Sequence, residues 1–214
     1  MAPYRGVIFD LDGTLIDSFE PIATAVNAAR EEVGMPPVPA LAVRRHVGRG
    51  LEALIADLVS PRLVEQGVRR FRDTYARIFL EGTRTIDGAA EAVRELAGAG
   101  IRLAVASNKP ARFSRPIVRQ AGLESEIGIV LGPDDRIPAK PEPAMLNEAR
   151  GRLGIPRSEC VYVGDMPLDV ESARRAGLDH LLVPTGSFTA RELLDVPGTR
   201  VIPQLNCLHM FTAA

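Results

Sequence analysis

A short apolar run that ends in two acids and a glycine constrains this chain more than any other stretch. Val7, Ile8 and Phe9 lead directly into Asp10, Leu11, Asp12 and Gly13. Such a run, bounded by a turn former, fits a strand buried on both faces, as in a parallel sheet. Residues two apart in an extended segment point to the same side, so Asp10 and Asp12 can face one site. Gly13 lets the chain turn with backbone N–H groups toward an anion. Two carboxylates held together repel unless a cation, a proton or an attacking role compensates. Mg²⁺, a hard cation that takes oxygen ligands, is the simplest compensation. A bare Asp-x-Asp-Gly also suits an Asx turn in a surface loop, so the sequence downstream has to decide.

It repeats the design. Ile101 to Ala106 is a second apolar strand, followed by Ser107 and Asn108, which can offer a hydroxyl and an amide or backbone donor to phosphate oxygens or cap the helix that starts near Pro110. Cys160 to Val163 is a third, turning at Gly164 into Asp165, with Asp169 near the start of the next helix. Ligands of open α/β sheets gather beyond such C-terminal strand ends.

Lysine usage adds a fourth piece. Of 26 basic residues only Lys109 and Lys140 are lysines. Lys109 follows Asn108, and Lys140 sits before Pro141, which disfavours a helix through it and fixes a short extended segment. An ammonium there can reduce the repulsion between a carboxylate nucleophile and an incoming phosphate.

With 214 residues, the chain can bury one large core and a small second unit. A net charge of -1 offers no global attraction for nucleic acid or anionic membrane, so any phosphate specificity is local. Cys160 and Cys207 have no metal or disulfide spacing and read as reduced core fillers of a cytoplasmic protein. No signal peptide or long apolar span suggests secretion or membrane insertion. Oligomeric state is not legible.

DLDGT, SN, K and GDxxxD, in that order, resemble the haloacid dehalogenase-like superfamily of phosphatases; SNKP, AGL and HVGRG are most similar to its phosphoglycolate phosphatases. The resemblance implies a doubly wound, mostly parallel Rossmann-like sheet from residues 1–16 and 85–214, with a helical cap inserted at 17–84. Helices are expected at Ala89–Leu96, Arg112–Ala121, 144–153 and 169–176, and strands at 127–131 and 180–183; the segment 201–211 has no clear assignment.

It also implies a mechanism for a small phosphomonoester. Asp10 attacks phosphorus to form an aspartyl-phosphate, and Asp12 protonates the leaving oxygen, then activates water. Mg²⁺ is held by the Asp10 carboxylate, the Asp12 backbone carbonyl and Asp165, with Asp169 behind them. Gly13, Ser107, Asn108 and Lys140 bind phosphate. Arg49, in a tight loop between Gly48 and Gly50, is the candidate reader of a carboxylate such as that of 2-phosphoglycolate. Asp12 argues against dehalogenation, and the absence of lysine from residues 15 to 85 argues against a cap-lysine Schiff base. A sugar-phosphate mutase and a nucleotidase fit the same core motifs. A non-catalytic scaffold is expected to have lost a charged group, and none is missing.

Overall fold

The structure, a computed structural model, describes residues 4–212. In chain order it runs through β1 (Gly6–Phe9), β2 (Ile16–Asp17), α1 (Phe19–Glu32), α2 (Ala40–Arg44), α3 (Leu51–Leu58), α4 (Val64–Ile78) and β3 (Arg84–Thr85). The second part continues with α5 (Ala89–Gly98), β4 (Arg102–Ala106), α6 (Ala111–Gln120), β5 (Ile129–Leu131), α7 (Ala144–Leu153), β6 (Cys160–Gly164), α8 (Pro167–Ala176), β7 (Asp179–Leu182) and α9 (Ala190–Leu194).

Five strands form a parallel sheet in the order β5-β4-β1-β6-β7. Strand alternation separates β1 onto two cores. Val7 and Phe9 pack with Ala92, Val93 and Leu96 of α5 and Ile117 of α6. Ile8 packs on the other face with Met145, Leu146 and Ala149 of α7 and Ala173 of α8. Helices thus cover both faces, as the sequence predicts, and β1 lies between strands that connect in opposite directions. That crevice is where such sheets place ligands.

The helices α1 to α4 share a separate core that includes Val26, Ile55, Phe71 and Tyr75, and they form the cap. The chain leaves and re-enters the sheet domain through β2 and β3, which pair antiparallel, Ile16 with Thr85 and Asp17 with Arg84. No helix among the described residues is long and apolar enough to cross a membrane.

Local corrections have local causes. The strand expected over 127–131 begins only at Ile129, because Ile127 donates its N–H to Leu123 O at 2.9 Å and closes the turn after α6. Helix α8 starts at Pro167, two residues before the predicted start; proline at the first turn forfeits no helical hydrogen bond. The last strand begins at Asp179, and Leu205–Phe211 forms tight 3-10 turns packed on the first core.

Candidate active site

The exit of β1 delivers Asp10, whose N–H extends the ladder to Val163 O at 2.8 Å. The exit of β6 delivers Asp165, and the first turn of α8 delivers Asp169. Oxygens of these three buried carboxylates lie within 4.8 Å of one another. Lys140 Nζ stands 3.0 Å from Asp10 Oδ1 and donates to Asp169 Oδ1 at 2.8 Å and to the Tyr162 hydroxyl at 2.8 Å. Asp169 is saturated, since its other oxygen accepts the N–H groups of Asp165 and Met166 at 3.1 and 3.2 Å. Asp165 Oδ1 accepts from Thr14 Oγ1 at 3.0 Å.

Burial raises the Asp10 pKa from its ordinary 3.8 to about 6; Lys140 pulls it down, Asp169 pushes it up, and the Ser107 hydroxyl lowers it. Asp165 is held well above the carboxylate range by burial and then by the charges of Asp169 and Asp10. Burial would lower Lys140, but Asp10 and Asp169 override it and hold it above its usual value. The group therefore contains more negative charge than Lys140 balances. An all-oxygen donor set with that surplus fits a hard divalent cation.

Two glycines make room for the cluster. A Cβ at Gly186 would lie 1.7 Å from Asp165 Oδ2, and one at Gly13, where φ is +84°, would lie 2.6 Å from the same oxygen. The turn at Gly13 is the one expected to bring backbone N–H groups toward an anion; the N–H of Gly13 itself donates to Ile16 O at 2.8 Å and closes the turn that the glycine makes possible.

Asp12 also departs from the simple picture. Its carboxylate lies outside the three-acid cluster and faces Lys109, whose Nζ is 2.9 Å from Oδ1 and 3.0 Å from Oδ2. The Ser18 hydroxyl donates to Asp12 Oδ1 as well. Only the main-chain oxygen of Asp12 remains for a metal at Asp10.

Ser107 is buried at the exit of β4. Asn108 is occupied: its Nδ2 donates to Gly48 O at 2.9 Å and Lys140 O at 3.0 Å, and its Oδ1 accepts from Lys140 N at 2.7 Å. The predicted phosphate amide thus ties the cap loop to the Lys140 loop, and its backbone N–H is the group left for an anion. Gly48 approaches the core so closely that a Cβ there would meet Met166 Sδ at 2.4 Å. Arg49 lines the same cavity, half exposed, with its guanidinium paired to Asp57.

Cap and core enclose about 410 Å³ above Asp10, Asp12, Ser107 and Asn108. Arg49 and these four residues line one cavity, and Lys140, Asp165 and Asp169 stand behind Asp10. Positions for Lys109, Thr14, Ser18, Tyr162 and Gly186 in this site are not legible in the sequence. The scarcity of lysine was the one available signal for Lys109.

Residues 7–183 match the haloacid dehalogenase-like hydrolase family. The chain is 36% identical over 214 residues to a phosphoglycolate phosphatase of Pseudomonas putida, covering 95% of this chain and 78% of that protein. It is 29% identical over 211 residues to another of Nitrosospira multiformis, covering 95% and 93%. The crystal structure of a haloacid dehalogenase-like hydrolase from Bacteroides fragilis superposes with a TM-score of 0.88 at 26% identity, covering 96% and 99%. A capped Rossmann-like enzyme with a buried carboxylate cluster is the class that this fold and site define. The chain belongs to the haloacid dehalogenase-like hydrolase family.

Proposed function

We propose that the chain is a magnesium-dependent phosphomonoester hydrolase that works through a phosphorylated Asp10. The observation that carries this reading is buried Asp10, which lines the cavity and stands against Lys140, Asp165 and Asp169. Asp10 and Asp165 carboxylates and the Asp12 main-chain oxygen would hold Mg²⁺, with Asp169 orienting Asp165 and Lys140. Bound there, the ion would neutralise charge on the phosphate oxygens.

Asp10 attacks phosphorus, the bond from phosphorus to the substrate oxygen breaks, and Asp12, which enters the step in its protonated form, gives that oxygen its proton so that an alcohol leaves and Asp12 is left as the carboxylate paired with Lys109. Asp12 then takes a proton from water, whose oxygen attacks phosphorus. The bond to Asp10 breaks and phosphate departs. Ser107, the Asn108 N–H and Lys140 stabilise the phosphate oxygens through both displacements. Residues 17–84 act as the cap that excludes bulk water.

The relatives named phosphoglycolate phosphatase make 2-phosphoglycolate the first small phosphomonoester to test. For a carboxylated substrate, Arg49 would exchange Asp57 for the ligand, a swap between solvent-exposed partners that costs little. The test is phosphate release from 2-phosphoglycolate with Mg²⁺, after chelation, and in Arg49→Ala. Full activity after rigorous chelation contradicts the reading. An Arg49→Ala loss shared equally by an aryl phosphate removes Arg49 from specificity.

A further inference from the structure

The chain has 7 phenylalanines, 3 tyrosines and no tryptophan, and four of these rings meet at one place. Phe71 and Tyr75 of α4 stack with centroids 5.3 Å apart, and Phe113 of α6 meets Tyr75 edge-on at 5.1 Å. Phe79 backs them, 5.0 Å from Phe113. Phe71, Tyr75 and Phe113 line the cavity, flanked by Ile22 and Leu54. The Tyr75 hydroxyl is buried beside Lys109 and Ser18, the groups that also hold Asp12. Every cation lining this cavity among the described residues already faces a carboxylate: Arg49 with Asp57, Arg72 with Glu52, Lys109 with Asp12, and Arg112 with Asp134.

A wall of three rings flanked by Ile22 and Leu54 is complementary to a planar apolar group. A volume of about 410 Å³ also leaves space that a two-carbon acid does not fill.

We propose that Phe71, Tyr75 and Phe113 seat an aromatic or heteroaromatic leaving group, so that the site takes ring-bearing phosphomonoesters in addition to small ones. The inference rests on the phosphomonoesterase reading for turnover, but not for binding. The reaction is the one above, and the released alcohol carries the ring.

The experiment compares benzyl phosphate with ethyl phosphate, both primary alkyl esters that differ in the ring, by kcat/KM in the Mg²⁺-loaded protein. Benzyl phosphate is expected to be favoured by at least about tenfold. Phe71→Leu and Phe113→Leu should each collapse that ratio, which does not depend on the fraction of folded protein. Equal kcat/KM for the two esters, or a ratio untouched by both variants, overturns the proposal and leaves the rings as packing between α4 and α6. If neither ester nor 2-phosphoglycolate is hydrolysed, the phosphatase reading falls while the seat is still decided by calorimetry. Benzylphosphonate binding at least about tenfold tighter than ethylphosphonate supports it, and equal affinities overturn it.

Discussion

Lys109 Nζ sits between the two carboxylate oxygens of Asp12, 2.9 Å from one and 3.0 Å from the other, and both side chains are almost fully buried. Lys140 has the matching position beside Asp10. The only two lysines of the chain therefore meet the two acids of its first loop. Arginine does not replace them simply, because a forked guanidinium needs more room and other angles than a compact ammonium.

Breaking one of these pairs from one side leaves a buried charge alone. Lys109→Met should destabilise the protein by about 3–5 kcal/mol, and adding Asp12→Asn should restore much of that loss. Thermal or urea unfolding of the two single variants and the double variant measures it. Additive effects would show that the two groups do not interact.

Asp10→Asn removes the attacking charge at nearly constant shape, and turnover should fall by about 10⁴-fold or more. Its melting temperature without metal at neutral pH should be no lower than wild type, because Asp10 is a buried carboxylate whose pKa lies above its ordinary value. Substantial residual turnover excludes Asp10 as nucleophile.

The sign of the pH dependence follows from the same group. With a pKa raised from 3.8 to about 6, folded Asp10 holds its proton more tightly than unfolded Asp10, so its contribution to stability is lost as pH rises through that window in the metal-free protein. Mg²⁺ must expel the proton. Its affinity by calorimetry should therefore climb as pH rises from about 5 through the Asp10 window, and go on climbing while Asp165, also raised, loses its proton. Affinity that falls with pH across this range contradicts the site.

Gly186→Ala would drive a methyl group into Asp165. Mg²⁺ affinity should drop by about tenfold or more. Gly151→Ala, on α7 with nothing within 4 Å of the added carbon, is the control; it should gain up to about 1 kcal/mol of stability and keep its metal affinity. Parallel behaviour of the two variants would show that crowding at Asp165 is not what Gly186 prevents.

What the sequence made legible is local. Apolar runs ending in Asp10, Ser107 and Asp165 mark three strand exits, because burial and turn chemistry are written in adjacent residues. Helix α7 spans Ala144–Leu153 as its spacing predicts. The pairing of β2 with β3 was not legible, since two residues per strand carry no periodicity. Nor was the bond from Asn108 to Gly48, whose partners lie 60 positions apart. Gly13 shows the limit within a motif: its need for positive φ is readable, whereas the acceptor of its N–H depends on where Ile16 returns.

Where Ile16 returns has a wider consequence. Because it lies opposite Thr85, the ends of the intervening segment are one strand spacing apart, roughly 5 Å. A short turn can bridge that gap without shifting the register of the parallel sheet. The helical segment is thus joined to the sheet domain at two adjacent ends, so that changes of length within it leave the strand order and register beneath it untouched.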